Sequence, residues 1–87
     1  MTTATTVTIT VRYFAAARAA AGVETERLDV SGTVDDAIRA IREHHGAGLG
    51  RVLDRCSFLL DEVAVRDRST VVPAGATLDV LPPFAGG

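Results

Sequence analysis

Lysine is missing from this 87-residue chain, so every one of its nine basic side chains is an arginine. A genome bias toward alanine, glycine and arginine would produce that absence, and the Ala-rich composition agrees with it. Cysteine occurs once, at Cys56. A single thiol excludes an internal disulfide framework and fits a reducing cytoplasm. No stretch approaches the ~20 apolar residues needed to span a bilayer, so no membrane partner is expected. The segment Thr2, Thr3, Ala4, Thr5, Thr6 lacks the cationic start and apolar run of a secretion signal, which leaves a cytoplasmic location as the expectation. The net charge of −2 supplies no basic patch, and nucleic acid is not an expected partner. What is present suits one globular domain with a modest core, at 47% hydrophobic and 23% charged residues.

Periodicity places the elements. Val7, Ile9, Val11 and Tyr13 share one face of a strand whose other face carries Thr8, Thr10 and Arg12. Ala15 to Ala21 has high helix propensity and stops at Gly22. It makes only about two turns, so its stability must come from docking. Glu24 to Val30 alternates again as a second strand. Thr33 then caps a helix with Asp36 at its third position, and Asp35 and Asp36 complement the positive end of the dipole. Val34, Ala37, Ile38 and Ile41 form its apolar stripe, and Gly46 ends it after His44 and His45. Gly48 to Arg55 reads as a loop or short helix with Leu49, Val52 and Leu53 on one face. Ser57 to Leu60 and Val63 to Val65 are short strands around an Asp61-Glu62 turn. Thr77 to Leu81 is the last strand, with Leu78 and Val80 pointing to the core. The order β-α-β-α-(α)-β-β-β predicts an α+β fold, a mixed sheet packed on one main helix with the first and last strands parallel at its centre. This is the β-grasp arrangement, expected over residues 1–82, with an extended tail over 83–87.

Two features invite a chemical reading. His44 and His45 are adjacent, and neighbouring helical positions point ~100° apart, so they do not readily share an ion. With no third ligand near them in sequence, no metal site is expected, and the pair is read as complementing the helix dipole. The second feature is the ending Leu81, Pro82, Pro83, Phe84, Ala85, Gly86, Gly87. Prolines cannot extend a strand ladder and hold the chain extended. Glycine has no Cβ and enters channels too narrow for other residues. The five residues after Pro82 reach at most roughly 16–18 Å, a length suited to delivering a carboxylate into another protein's active site. Leu81 is out of phase with the core, so Leu81 and Phe84 are expected on the surface as a docking patch. Cys56 stands alone and is read as a small buried hydrophobe.

Three segments carry a family resemblance. They are Val11-Arg12-Tyr13-Phe14-Ala15-Ala16-Ala17-Arg18, then Ala64-Val65-Arg66-Asp67, and the Leu78-Asp79-Val80-Leu81-Pro82-Pro83-Phe84-Ala85-Gly86-Gly87 ending. Together they resemble the small-subunit sulfur carriers of molybdopterin synthase, in the ubiquitin-like MoaD/ThiS family. The hairpin before Ala64 departs from the family pattern, with Asp61 and Glu62 where an asparagine is usual, and the leader Thr2 to Thr6 is long.

The resemblance implies that Gly87 is adenylated, converted to a thiocarboxylate, and used to donate sulfur to cyclic pyranopterin monophosphate. Gly87 and Gly86 would be the reacting end. Arg18, Leu81, Pro82, Pro83, Phe84 and Ala85 would bind the partner. The implied partners are the large catalytic subunit, an E1-like adenylating enzyme and a sulfurtransferase. No cofactor is expected to be bound; the activating enzyme uses ATP on Gly87. On this reading the chain is a carrier and not itself an enzyme, and the missing lysines leave its acyl-adenylate no internal amine to acylate. Two alternatives share the Gly-Gly logic: a carrier for thiamine or cysteine biosynthesis, or a ubiquitin-like binding module without sulfur chemistry.

Overall fold

The computed structural model describes residues 6–83. Strand β1 (Val7–Tyr13) leads into helix α1 (Ala15–Ala21), strand β2 (Thr25–Val30) and helix α2 (Val34–His45). Helix α3 (Ala47–Leu53) follows, then β3 (Ser57–Leu60), β4 (Val63–Ala64) and β5 (Thr77–Leu81). The five strands form one mixed sheet in the order β2-β1-β5-β3-β4. β1 and β5 are parallel neighbours, with Tyr13 opposite Val80 and Val11 opposite Leu78. All other pairings are antiparallel. The β-grasp expectation is met in element order and in the central parallel pair. Gly48 to Arg55, left open between loop and helix, is mostly helix.

The core follows from the two periodicities. Ile9, Val11 and Tyr13 of β1 and Leu78 and Val80 of β5 are buried against Val34, Ala37, Ile38 and Ile41 of α2. Leu49 and Leu53 of α3 and Ala17 of α1 join the same cluster, so the three helices cover one face of the sheet. α1 has seven residues, below the length at which an isolated helix is stable in water. Ala17 buries its inner face and Gly22 closes it at φ 79°, a left-handed cap open to glycine without strain.

The start of α2 matches the capping expectation in detail. The Thr33 hydroxyl accepts from the Asp36 N–H, while the Asp36 carboxylate accepts from the Thr33 N–H at 2.9 Å. Those two bonds satisfy backbone donors that the helix itself cannot. Gly32 precedes the cap at φ 107°, and a Cβ there would stand 2.2 Å from Asp36 Oδ2. A side chain at position 32 would therefore push the capping carboxylate out of place.

Candidate functional site

The last strand sits at the centre of the sheet, and its exit is built from three elements. Phe14 N–H donates to Val80 O at 3.2 Å just past the end of β1, and Leu81 pairs with Ser57 at the start of β3. Pro82 and Pro83 follow at once and take no part in either ladder, as their missing N–H requires. Beside them lies an open depression of about 580 Å³ lined by Ala16 of α1, by Arg51 and Val52 of α3, and by Asp54 and Arg55. Asp54 is engaged by Arg42 at 2.9 Å, so the charge the depression presents comes mainly from Arg51 and Arg55. These lining residues were not picked out in the sequence. The signal available was the i, i+4 spacing of Arg51 and Arg55 opposite the apolar face of α3.

The site residues named from sequence separate into groups. Pro82 and Pro83 lie at the depression, Pro82 half-buried and Pro83 exposed. Leu81 was expected on the surface and is half-buried. It alternates with the core-facing Leu78 and Val80, but it ends a central strand flanked by β1 and β3 rather than an edge. Arg18 is exposed on α1, outside the group that lines the depression. Phe84, Ala85, Gly86 and Gly87 lie outside the described residues, as does most of the tail expected over 83–87. Phe14, at 39% exposure, is the large apolar group exposed at this end of β1.

The outward face of the sheet holds a pair that periodicity concealed. Asp79 alternates with Leu78 and Val80 and reads as solvent-facing, yet it is buried to 3% exposure. Arg12, opposite it across the β1–β5 ladder, donates from Nε at 2.5 Å and from Nη2 at 2.7 Å in a bidentate pair. The hydrogen bond to Asp79 and its charge raise the Arg12 pKa further above its ordinary value. Arg12 also lies 5.8 Å from the centre of the Phe14 ring, which links the pair to the exit of β5.

The hairpin turn that carries Asp61 and Glu62 makes its own contact with the last strand. Asp61 and Glu62 both adopt positive φ, at 47° and 71°, as a tight two-residue turn between β3 and β4 requires. The Asp61 carboxylate accepts from Thr77 N–H at 2.9 Å, and Asp61 N–H donates to Thr77 O at 2.8 Å. Asp61 thus ties the turn to the first residue of β5. Cys56 is buried, and its thiol donates to Val52 O at 3.1 Å. Burial pushes its pKa up, which disfavours the thiolate and agrees with its reading as a packing residue.

One expectation is corrected. No third ligand was expected near His44 and His45, but Glu26 of β2 meets both. His45 Nε2 is 2.5 Å from Glu26 Oε2, and His44 Nε2 is 3.6 Å from Oε1. The buried Tyr13 hydroxyl donates to the same carboxylate. Burial alone would raise the Glu26 pKa; the hydrogen bonds from Tyr13 and His45, with the charges of both histidines, outweigh it and hold the pKa below its ordinary value. The sequence carried a trace of this, since Glu26 lies in phase with Leu28 and Val30 on the inward side of β2.

Comparison with known proteins places this geometry in context. The ThiS family model matches residues 11–87. No curated protein sequence matches the chain significantly. Among solved structures, SAMP1 from Haloferax volcanii is similar at a TM-score of 0.81 and 30% identity, covering 92% of this chain and 99% of that one. The small archaeal modifier protein 1 from Methanosarcina acetivorans gives a TM-score of 0.84 at 20% identity, over 95% of this chain and 99% of that one. A chain from the protein–protein complex of subunits 1 and 2 of molybdopterin-converting factor from Helicobacter pylori gives 0.69 at 23% identity, covering 93% and 100%. The last two likenesses speak for the fold.

Proposed function

The chain belongs to the ThiS family and has the ubiquitin-like sulfur-carrier fold of the ThiS/MoaD type; from that premise we propose that it is the sulfur-carrier subunit of a molybdopterin synthase. The observation that carries the proposal is the family match through to Gly87, on a fold whose central strand runs directly into Pro82 and Pro83. A tail that follows directly on a central strand, paired on both sides by β1 and β3, starts from a fixed point from which it would be offered to a partner.

The chemistry begins with a carboxylate, which is a poor electrophile. In the proposed cycle an E1-like enzyme catalyses attack of the Gly87 carboxylate on the α-phosphorus of ATP, releasing pyrophosphate and leaving an acyl-adenylate. A persulfide sulfur supplied by a sulfurtransferase then attacks the acyl carbon and AMP departs. Cleavage of the resulting S–S bond by a thiol leaves the terminal thiocarboxylate and a disulfide. Gly86 and Gly87 are the reacting segment, and Phe84 and Ala85 span the distance to it. The sulfur is given up inside a large catalytic subunit, which supplies the catalytic side chains and docks at Leu81, Pro82, Pro83 and Phe14. Arg51 and Arg55 beside the prolines suit acidic groups on that partner, and Arg18 would extend the basic rim. ATP is consumed by the activating enzyme, with no cofactor resident on the carrier. The single reduced cysteine suits a cytoplasmic setting for this exchange.

Intact mass spectrometry after incubation with ATP, an E1-like enzyme and a sulfur donor tests the proposal. The expected gain equals the exchange of one oxygen for one sulfur. Deletion of Gly87 abolishes it while the melting midpoint stays unchanged, because among the described residues the core cluster runs from Ile9 to Val80 and a chain end adds little to such a core. Sulfur transfer by the Gly87 deletion would refute the carrier mechanism. A second reading is supported by the 30% identity to a protein named as a modifier. In it the same adenylate is captured by an amine of another protein, and the mass spectrum shows a covalent adduct instead.

A further inference from the structure

Glu26, His44 and His45 gather one carboxylate and two imidazoles where β2 passes beside the last turn of α2, and their ligand atoms all lie within 4.8 Å of one another. We propose that these three side chains form a Zn2+ site with water as the fourth ligand. The adjacent histidines do not make such a site by themselves, because their side chains diverge along the helix. Glu26 changes the geometry because it comes from a different element and meets both rings. The two rings are perpendicular, with centroids 4.9 Å apart, and both turn Nε2 toward the same carboxylate.

Two imidazoles and a carboxylate are a donor set suited to zinc. A tetrahedral ion with bonds of ~2.0–2.2 Å holds its donors roughly 3.3–3.6 Å apart. The His44–Glu26 separation of 3.6 Å already meets that spacing, and the His45–Glu26 separation of 2.5 Å opens as the ion replaces the hydrogen bond. His45 then carries its proton on Nδ1 and directs the Nε2 lone pair at the metal. Glu26 and His45 side chains are only 15% and 12% exposed, whereas His44 at 58% leaves a route for the ion and a water. Tyr13 completes the arrangement, since its hydroxyl donates to Glu26 and fixes the carboxylate from beneath. A bound ion would clamp β2, an edge strand whose one neighbour in the described sheet is β1, to the end of α2.

Calorimetric titration of the untagged full-length protein with zinc chloride near neutral pH, with melting curves in parallel, tests the site. One equivalent binds and the melting midpoint rises. His44→Ala removes a mostly exposed ring and leaves the fold intact. Glu26→Gln keeps an acceptor for Tyr13. Each lowers affinity by about ten-fold or more and suppresses the rise in midpoint. In two-dimensional NMR of the parent, the His44 and His45 ring resonances shift together up to one equivalent. Absence of binding heat up to millimolar zinc would overturn the proposal. So would undiminished affinity in His44→Ala and Glu26→Gln, which would put the ion elsewhere.

Discussion

Replacing Tyr13 by phenylalanine removes one oxygen from the core and leaves the ring in place. The ring is 1% exposed and its hydroxyl donates to Glu26, whose carboxylate also receives His45. A hydrogen bond to a charged partner contributes ~1.5–3 kcal/mol, and Glu26 keeps His45 and some solvent, so the lower end applies, about 1.5 kcal/mol. For a domain of this size, that lowers the melting midpoint by roughly 6–12 °C. The loss depends on pH in a defined direction. The folded-state pKa of Glu26 lies below its ordinary value. Its charged interactions therefore stabilise the fold fully above that ordinary value, and the contribution fades as pH falls through the folded-state value. Burial foremost, then the hydrogen bond and charge of Glu26, push the Tyr13 pKa upward, so the phenol stays a donor throughout. The deficit of Tyr13→Phe is thus largest near neutrality and shrinks in acid. Urea unfolding of the parent, Tyr13→Phe, Glu26→Ala and the double variant, at about pH 7 and about pH 3, measures this as a coupling energy. A deficit identical at both pH values, or a coupling of zero near neutrality, would refute the account.

The hairpin and the cysteine give two further tests. Glu62 holds φ 71°; a left-handed residue costs about 1–2 kcal/mol without glycine and glycine loses ~0.5–1 kcal/mol in chain entropy. Glu62→Gly should accordingly stabilise by about 0.5–1 kcal/mol, seen as a higher urea midpoint at unchanged slope. Cys56→Ser should keep the bond to Val52 O and lose at most about 1 kcal/mol. It should also accept sulfur at Gly87 as readily as the parent; loss of transfer in a folded variant would make the thiol a participant.

Most of the fold was legible because its rules are local. The alternation in β1, the stripe on α2 and the Thr33–Asp36 cap each lie within one element, and each appears as the residues require. What could not be read was set by partners distant in sequence. Asp79 alternates as an outward residue, and nothing near it announces that Arg12, 67 positions away, will cover it. Glu26 likewise meets His45 across 19 positions, and that pairing exists only once β2 has folded beside α2. Leu81 was given the correct face but too much exposure, since the neighbours of a central strand are a property of topology. At the candidate site, the prolines could be read as a break in the ladder, while the depression beside them required α1 and α3 to be placed together.

The parallel pairing of β1 with β5 governs how the molecule bears load. A pull along the segment after Leu81, opposed at the start of β1, acts along the ladder that joins Thr10–Tyr13 to Thr77–Val80. Force in that direction shears the rungs together, where an antiparallel hairpin pulled from its open end would unzip one rung at a time. β3 grips the other side of β5 from Ser57 to Leu60 and shares the strain. A load applied just after Leu81 is therefore carried by both ladders of the central strand, whose rungs must give way together rather than one by one.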